Sequence, residues 1–397
     1  MNTGIFAPPQ SNIALAAAGF NLSEWTKCLV FDGTPGTKSC VVPPGVSELL
    51  VVVLPGGGSG AAIAGTSGNA TGGAGGGLFA GILDVTPGES LAYVVGQGGA
   101  AVTTSSGALG GLPGGASSFA GRVSCTGGGG GKNDGSSATP GAITISGAKR
   151  ILCNSVGGAS GAASGTVSAT GGGSAGSYWA SGYSSGAASA SGGYEYPAAT
   201  GGASCFSMSG TAAGTYATGG GGISPSSANS TVGGGPASLM ADAVSTFTGS
   251  PAMPSSAFLS FLFTGAANCD AVPTADGVGA PNITASGGRS GGTAHKGTGS
   301  AGAGGHFAGG GAGVFASPTS SGTYEIDGGV GGRFAGGGSA CAIPFGGSSG
   351  GTCKAVGGAG RLGGGGGGAV AVNFYDGLAI SGAGGDGLIA VYCKAVI

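Results

Sequence analysis

The sequence predicts a mainly β protein with almost no helix: a glycine-rich β frame closed by N- and C-terminal strands, carrying polyglycine-II-like extended strands and long loops. Three observations predict this. Glycine supplies 101 of 397 residues, against fourteen acidic and twelve basic ones. A chain so poor in charge cannot rely on solvation, so its backbone amides must be satisfied by close packing of chain on chain. Apolar β-branched runs bounded by Pro and Gly stand near both ends of the chain, in VVPPGVSELLVVVLPGGG from Val41 and GLIAVYC from Gly387. Glycine also comes in blocks, such as Gly127–Gly131 and Gly363–Gly368, rather than at every third position, which excludes a collagen helix.

Residues 1–40 differ in texture from the rest. They hold Trp25 and FNLSEWTKCLVF ahead of the GTPGT turn at 33–37, and they are assigned as an N-terminal attachment segment. The remainder, 41–397, is assigned as one discontinuous glycine-rich β domain, with a frame at 41–131 and 363–397 and a loop-bearing insertion at 132–362. In the frame, a Pro-Pro-Gly turn leads into a strand from about Val46 to Leu54, ended by Pro55 and three glycines. Leu78–Val85 and the segment 90–95 read as strands joined by Thr86-Pro87-Gly88-Glu89, where Pro presets φ and Gly supplies positive φ, so a hairpin is predicted. Ala369–Tyr375 and Leu388–Cys393 resume the strand pattern, and the first and last strands are expected to pair. Between them lie Gly, Ala, Ser and Thr punctuated by aromatics. Each glycine in these blocks would cost about 1 kcal/mol in a helix. Without side chains the blocks can instead pack as extended strands of three residues per turn that share hydrogen bonds with several neighbours.

Composition narrows the function classes. A formal charge of −2 with scattered basic residues leaves no electrostatic footprint for nucleic acid or an anionic membrane, so no nucleic-acid partner is expected. Runs such as Leu49–Leu54 and Ala257–Phe263 are too short to span a bilayer as a helix, so no membrane insertion is expected. The first twenty residues lack a basic start and carry Pro8 and Pro9, unlike a secretory signal, so synthesis in a cytosol is expected.

Chemistry-bearing motifs are few. Gly127–Gly131 followed by Lys132 approaches a P-loop, but Thr126 replaces its first glycine and Asn133 its Ser/Thr. Gly96-Gln97-Gly98-Gly99 follows a strand without a helix pattern behind it, which does not support a dinucleotide fold. His295 and His306 have no GxSxG elbow to serve, and Glu325 with Asp327 reads as a solvated turn. Nine cysteines are dispersed without CxxC or Cys/His clusters, which disfavours a structural zinc site. Small buried thiols are the plainer reading, while the equal spacings Cys28 to Cys40 and Cys341 to Cys353 leave a disulfide open. No enzyme activity, cofactor or metal is expected.

Aromatic islands remain: Tyr178, Trp179, Tyr183, Tyr194 and Tyr196; Phe206, Met208 and Tyr216; and Phe247 with Phe258, Phe261 and Phe263. Glu195 is the one charged residue between 151 and 241, so these islands face a core or a partner of little charge. The phenylalanine island reads as core. The Tyr178–Tyr196 island, lacking a burial period, reads as exposed, where Tyr and Trp give large contact area at low entropic cost.

The succession of VPPGVSELLVVVLPGGGSG, TPGESLAYVVGQGG, GGLPGGASSF, a GGGGG block and GLIAVYC resembles the glycine-rich domain of bacteriophage tail fibre and receptor-binding proteins. The similarity covers about 41–131 and 363–397. The middle is similar in texture to the adhesins at the tips of T-even phage long tail fibres. The resemblance implies a virion tail protein, made in the host cytoplasm, that binds a bacterial surface receptor such as a glycan, pilus or outer-membrane protein. It implies contact with other tail or baseplate proteins through residues 1–40, a homotrimer, and receptor-binding loops at 177–196, 206–218 and 315–327. The residues assigned to that contact are Tyr178, Trp179, Tyr183, Tyr194, Tyr196, Tyr216 and Tyr324. A structural virion protein, a capsid decoration or tail component without a receptor, is the alternative reading.

Overall fold

The computed structural model describes residues 21, 24–25, 27–165, 167–176, 182, 184–185, 188–189, 298–300, 309–310, 313–317, 324–331, 334–344, 352–372 and 377–394. Among them there is no α-helix. The strands are β1 (Lys27–Asp32), β2 (Gly36–Val41), β3 (Glu48–Leu54), β4 (Ala62–Ala64), β5 (Gly68–Ala70), β6 (Leu78–Asp84), β7 (Ser90–Val95) and β8 (Thr103–Thr104). There follow β9 (Gly107–Leu109), β10 (Ser117–Phe119), β11 (Val123–Cys125), β12 (Ile143–Ile145), β13 (Arg150–Ser155), β14 (Ala163–Ser164), β15 (Val167–Ala169) and β16 (Ala188–Ser189). The last are β17 (Thr298–Ser300), β18 (Gly313–Ser317), β19 (Tyr324–Asp327), β20 (Ala340–Pro344), β21 (Cys353–Val356), β22 (Ala369–Ala371), β23 (Gly377–Ile380) and β24 (Leu388–Cys393). They build three zones along one direction: a sandwich, a glycine lattice and an alanine-rich stack.

The sandwich pairs two open antiparallel sheets, of order β1-β24-β3-β6-β13 and β12-β11-β10-β7-β2. Alternation in ELLVVVL sends Leu49, Val51 and Val53 to the space between the sheets. There they meet Phe79, Leu83, Leu91, Tyr93, Val95, Phe119, Val123, Ile389 and Val391, a core of interdigitated apolar side chains. The opening and closing apolar strands pair over six residues, Leu388 against Leu54 through Cys393 against Leu49. Residues 27–41 also belong here: β1 pairs β24 and β2 pairs β7. So do β12 and β13, and the sandwich therefore reaches beyond 41–131 and 363–397.

The hairpin predicted for β6 and β7 does not form. Glu89 N–H donates to Thr86 O and Gly88 takes φ +82°, so the TPGE turn is present. Yet β6 lies between β3 and β13 in one sheet, and β7 between β10 and β2 in the other. The turn is a corner between layers, held by Val85 N–H on Ser47 O and Val42 N–H on Glu89 O. A turn reverses the chain without choosing its partner strand, and here apolar neighbours on both sides of β6 won.

Beyond the sandwich the strands run into glycine. In the segment 56–61, Gly56, Gly57 and Gly58 donate in turn to Gly115, Gly385 and Ala74, and Ser59, Gly60 and Ala61 then donate to Leu112, Gly382 and Thr71. The same three neighbouring segments thus recur every third residue, the signature of a three-residue-per-turn helix of polyproline-II type. The segment 363–368 shows both halves of the pattern. Gly365, Gly366 and Gly367 donate to Gly173, Gly58 and Gly358; the carbonyls of Gly363, Gly364 and Gly365 accept from Gly76, Gly385 and Gly337. With six neighbours this strand has no free side on which a side chain could stand. A Cβ on Gly366 would lie 2.0 Å from Gly382 O, and one on Gly367 2.0 Å from Gly338 O. Where a lattice amide lacks a facing carbonyl, a buried hydroxyl replaces it: Thr170 Oγ1 accepts from Gly72 N–H, Ser117 Oγ from Gly96 N–H, and Ser160 Oγ from Ala138 N–H. This accounts for Ser and Thr among the glycines.

In the third zone each lattice segment becomes a short strand again. One sheet, β18-β20-β22-β4-β9, is parallel apart from β9; the other, β17-β19-β21-β23-β8, is parallel apart from β8. Apart from β9, strands of the first sheet run away from the lattice, and apart from β8 those of the second run back into it, so each connection arches from one layer to the next. Parallel pairing ordinarily needs a long crossover, commonly a helix. Here the lattice and the neighbouring sheet provide the return. The core between the layers is almost wholly Ala62, Ala64, Ala340, Ala342, Ala355, Ala369, Ala371 and Ala379 with Ile326 and Cys353, residues small enough for sheets that continue a side-chain-free lattice.

Candidate functional site

The end farthest from the sandwich carries its own set of turns. Described turns there are Gly65–Ser67, between β4 and β5, and Ser105–Ser106, between β8 and β9. The described chain also leaves and re-enters at this end between Ser189 and Thr298, Ser317 and Tyr324, Pro344 and Thr352, and Val372 and Gly377. Every one of these connections follows an outgoing strand and precedes an incoming one. Both terminal described strands, β1 and β24, lie in the sandwich.

The described surface of this end is hydroxyl-bearing and nearly neutral. Thr66, Ser67, Thr103, Ser105, Ser106 and Ser164 are exposed. Thr104 Oγ1 shapes the β8–β9 turn by accepting from Ser106 N–H at 3.2 Å and donating to Ser106 O at 2.7 Å, and Gly107 takes φ +78°. Asn69 and Ser168 brace β5 against β15: Ser168 donates to Asn69 Oδ1 at 2.7 Å, and Asn69 Nδ2 donates to Gly165 O at 3.1 Å. The one described ion pair of this zone joins Lys354 to Glu325, directly opposite each other on β21 and β19. Cys341 and Cys353 are fully buried. Burial raises both thiols, Cys353 to about 12, so they stay protonated and unreactive at neutral pH. None of the seven described cysteines is joined in a disulfide, so neither equal spacing is used as a bridge.

Of the residues assigned to receptor contact, Tyr178, Trp179, Tyr183, Tyr194, Tyr196 and Tyr216 lie outside the described residues. Tyr324 opens β19 at the loop-bearing end, in register with Cys353. The flanks of the first island are informative. Gly176 N–H donates to Gly76 O and Gly182 N–H to Val156 O, both beside the sandwich. Ser189 pairs with Ser164 at the opposite end. Within 177–196, the described residues are thus Gly182, Ser184–Ser185 and the strand β16. Likewise 313–317 and 324–327 are strand. The alanine stack went unread in the sequence. Its signal was the three- or four-residue apolar tag beside each glycine block, as in AIA, CKAV, AVA and GLAI.

No curated protein matches the chain. A family model described as a glycine-rich domain matches residues 33–252, more than half of the sequence, over a region that includes most of the sandwich and the first lattice strands. The chain belongs to the glycine-rich domain family.

Proposed function

We propose that this protein attaches a bacteriophage particle to a bacterial surface, its sandwich end toward the particle and its looped end toward the receptor. The observation that carries this reading is the polarity of the molecule. Terminal strands β1 and β24 are held in the sandwich, and the arches between outgoing and incoming strands gather at the far end. A lattice with almost no side chains between these ends acts as a stiff spacer whose hydrogen bonds are shielded from salt and solvent, and the resemblance to tail-fibre glycine-rich domains supports the same assignment. The segment between Ser189 and Thr298, which holds Tyr194, Tyr196 and Tyr216, is the principal contact, together with Tyr324 at the start of β19. Low charge makes the contact insensitive to ionic strength, and several copies on one particle convert weak single contacts into firm attachment.

Labelled protein is to be tested on whole bacteria of candidate hosts. Alanine at Tyr194, Tyr196 and Tyr216 abolishes binding with circular dichroism unchanged, whereas alanine at Tyr178 and Trp179, whose flanks lie beside the sandwich, leaves it intact. Binding by neither protein to any strain would favour a structural virion component instead.

A further inference from the structure

We propose that two copies of this chain associate through the β8–β9 flank, each three-zone molecule extending the sheets of the other across a two-fold axis. The inference is independent of the receptor reading.

It rests on which backbone groups face outward. Ala369 N–H donates to Ala61 O and Gly65 N–H to Ala371 O, so residues 61, 63 and 65 turn their polar groups toward β22. Ala62 and Ala64 therefore face β9, where they oppose Leu109 and Gly107. By alternation the N–H and C=O of Ala108 point away from the sheet. On the other layer, Ser381 N–H donates to Val102 O, so Val102 and Thr104 face β23 and Thr103 faces outward. Thr103 and Ala108 stand one residue either side of the Thr104–Gly107 turn. Both layers thus end on one flank with open edges, and all three residues of β9 are exposed. Gly110 continues the flank: a Cβ there would meet one atom, Gly131 O at 3.5 Å.

Every edge of the sandwich is guarded, as exposed edges generally are. Lys27 sits on β1, Lys38 on β2, Lys149 and Arg150 at β13, and Arg122 lies against Gly147 just past β12. The β8 and β9 strands carry no guard of their own, since no charged residue occurs from Ser90 to Gly121. It presents Leu109 and Leu112, 44% and 47% exposed, two of the five large apolar side chains most exposed among the described residues. An uncharged strand of small residues meets its own copy without like-charge repulsion. An antiparallel pair centred on Ala108 exchanges both of its backbone hydrogen bonds across an isologous contact. The two-fold axis of such a pair stands perpendicular to the sheets, so β8 is brought to its own copy at the same time.

The test is the mass of the full chain in solution by light scattering and sedimentation. The expected result is twice the chain mass of 35.9 kDa. Ala108→Pro, which removes the outward N–H, and Leu109→Lys, which adds the missing guard, each return the chain mass with circular dichroism and melting unchanged. A wild-type protein of one or three chain masses overturns the proposal, because a strand meeting its own copy closes at two. So does a two-chain mass that survives both substitutions.

Discussion

The sandwich and the glycine lattice are built from the same strands by opposite means. Within nine residues, Leu49–Gly57, the chain passes from a core held by side chains to one held by backbone alone. In the sandwich, burial of Leu49, Val51, Phe79 and Phe119 supplies the driving force, at about 25 cal/mol for each Å² of apolar surface removed from water. In the lattice there is little apolar side chain to bury, and ordering glycine costs more backbone entropy than ordering any other residue. What offsets that cost is the near-complete pairing of amides with carbonyls in three directions. The lesson is that glycine richness accompanies order when every N–H has an assigned partner and charge is too scarce to keep the chain solvated.

The sharpest way to break this comparison is to exchange the usual direction of mutational damage. Adding one methyl in the lattice, Gly366→Ala, places Cβ 2.0 Å from a backbone carbonyl that is fixed by its own hydrogen bonds. The expected outcome is loss of the cooperative folded state, read as a missing denaturation transition. Removing three carbons from the sandwich, Leu49→Ala, costs about 2–5 kcal/mol and leaves a cooperative transition at lower denaturant. A Gly366→Ala protein that unfolds like wild type would remove the close-packed lattice.

A smaller effect sharpens the boundary between the regions. Ser117 Oγ accepts from Gly96 N–H and donates to Leu54 O, both at 2.8 Å, where the sandwich gives way to the lattice. Ser117→Ala leaves a buried amide and carbonyl unpaired, and the expected loss is about 1–3 kcal/mol. Ser117→Cys, a weaker donor and acceptor of similar shape, is expected to fall between. Equal stability of all three by chemical denaturation would show that the junction amides find other partners.

The smallest effect concerns pH and belongs to the sandwich alone. Tyr93 OH donates to Asp32 Oδ2 at 3.1 Å, beside Lys38 Nζ at 2.5 Å. Burial, and then the Asp32 carboxylate, raise the Tyr93 phenol to about 12. The fold therefore favours the protonated phenol. Its contribution is whole below pH 10 and is lost as pH climbs from about 10 to about 12. Burial acts against ionisation of Asp32, but hydrogen bonds from Lys38, Thr34 N–H and Tyr93 outweigh it and hold the carboxyl below its ordinary value. That contribution is present above about pH 4 and falls away in more acid solution. Tyr93→Phe is expected to cost about 1 kcal/mol at neutral pH and to flatten the loss of melting temperature above pH 10. An unchanged alkaline slope would show that Tyr93 does not carry it.

Parts of this architecture were legible residue by residue. Ser90–Val95 and Leu388–Cys393 are strands with the bounds read from the sequence, because Pro and Gly punctuate short β-branched runs on either side. The polyglycine character of the middle followed from glycine's poor fit to a helix. The pairing of β6 was not legible, since a Pro-Gly turn fixes where the chain bends and not which sheet receives the next strand. The short strand Ala188–Ser189, which registers against Ala163–Ser164, was not legible either. Strands of two or three alanines carry no periodicity long enough to recognise.

Composition and local punctuation by themselves determined that the described residues are β without α-helix and hydrogen-bonded through their backbone, because those properties follow from what glycine, proline and β-branched residues permit at each position. The tertiary structure alone decided that the glycine blocks form one six-neighboured lattice and that, β8 and β9 apart, outgoing and incoming strands of the alanine-rich stack sort into separate layers. Those outcomes depend on which distant amide meets which carbonyl. Glycine is the same at every position, so the choice among its many possible partners is made by the length and direction of the strands that enter and leave the lattice.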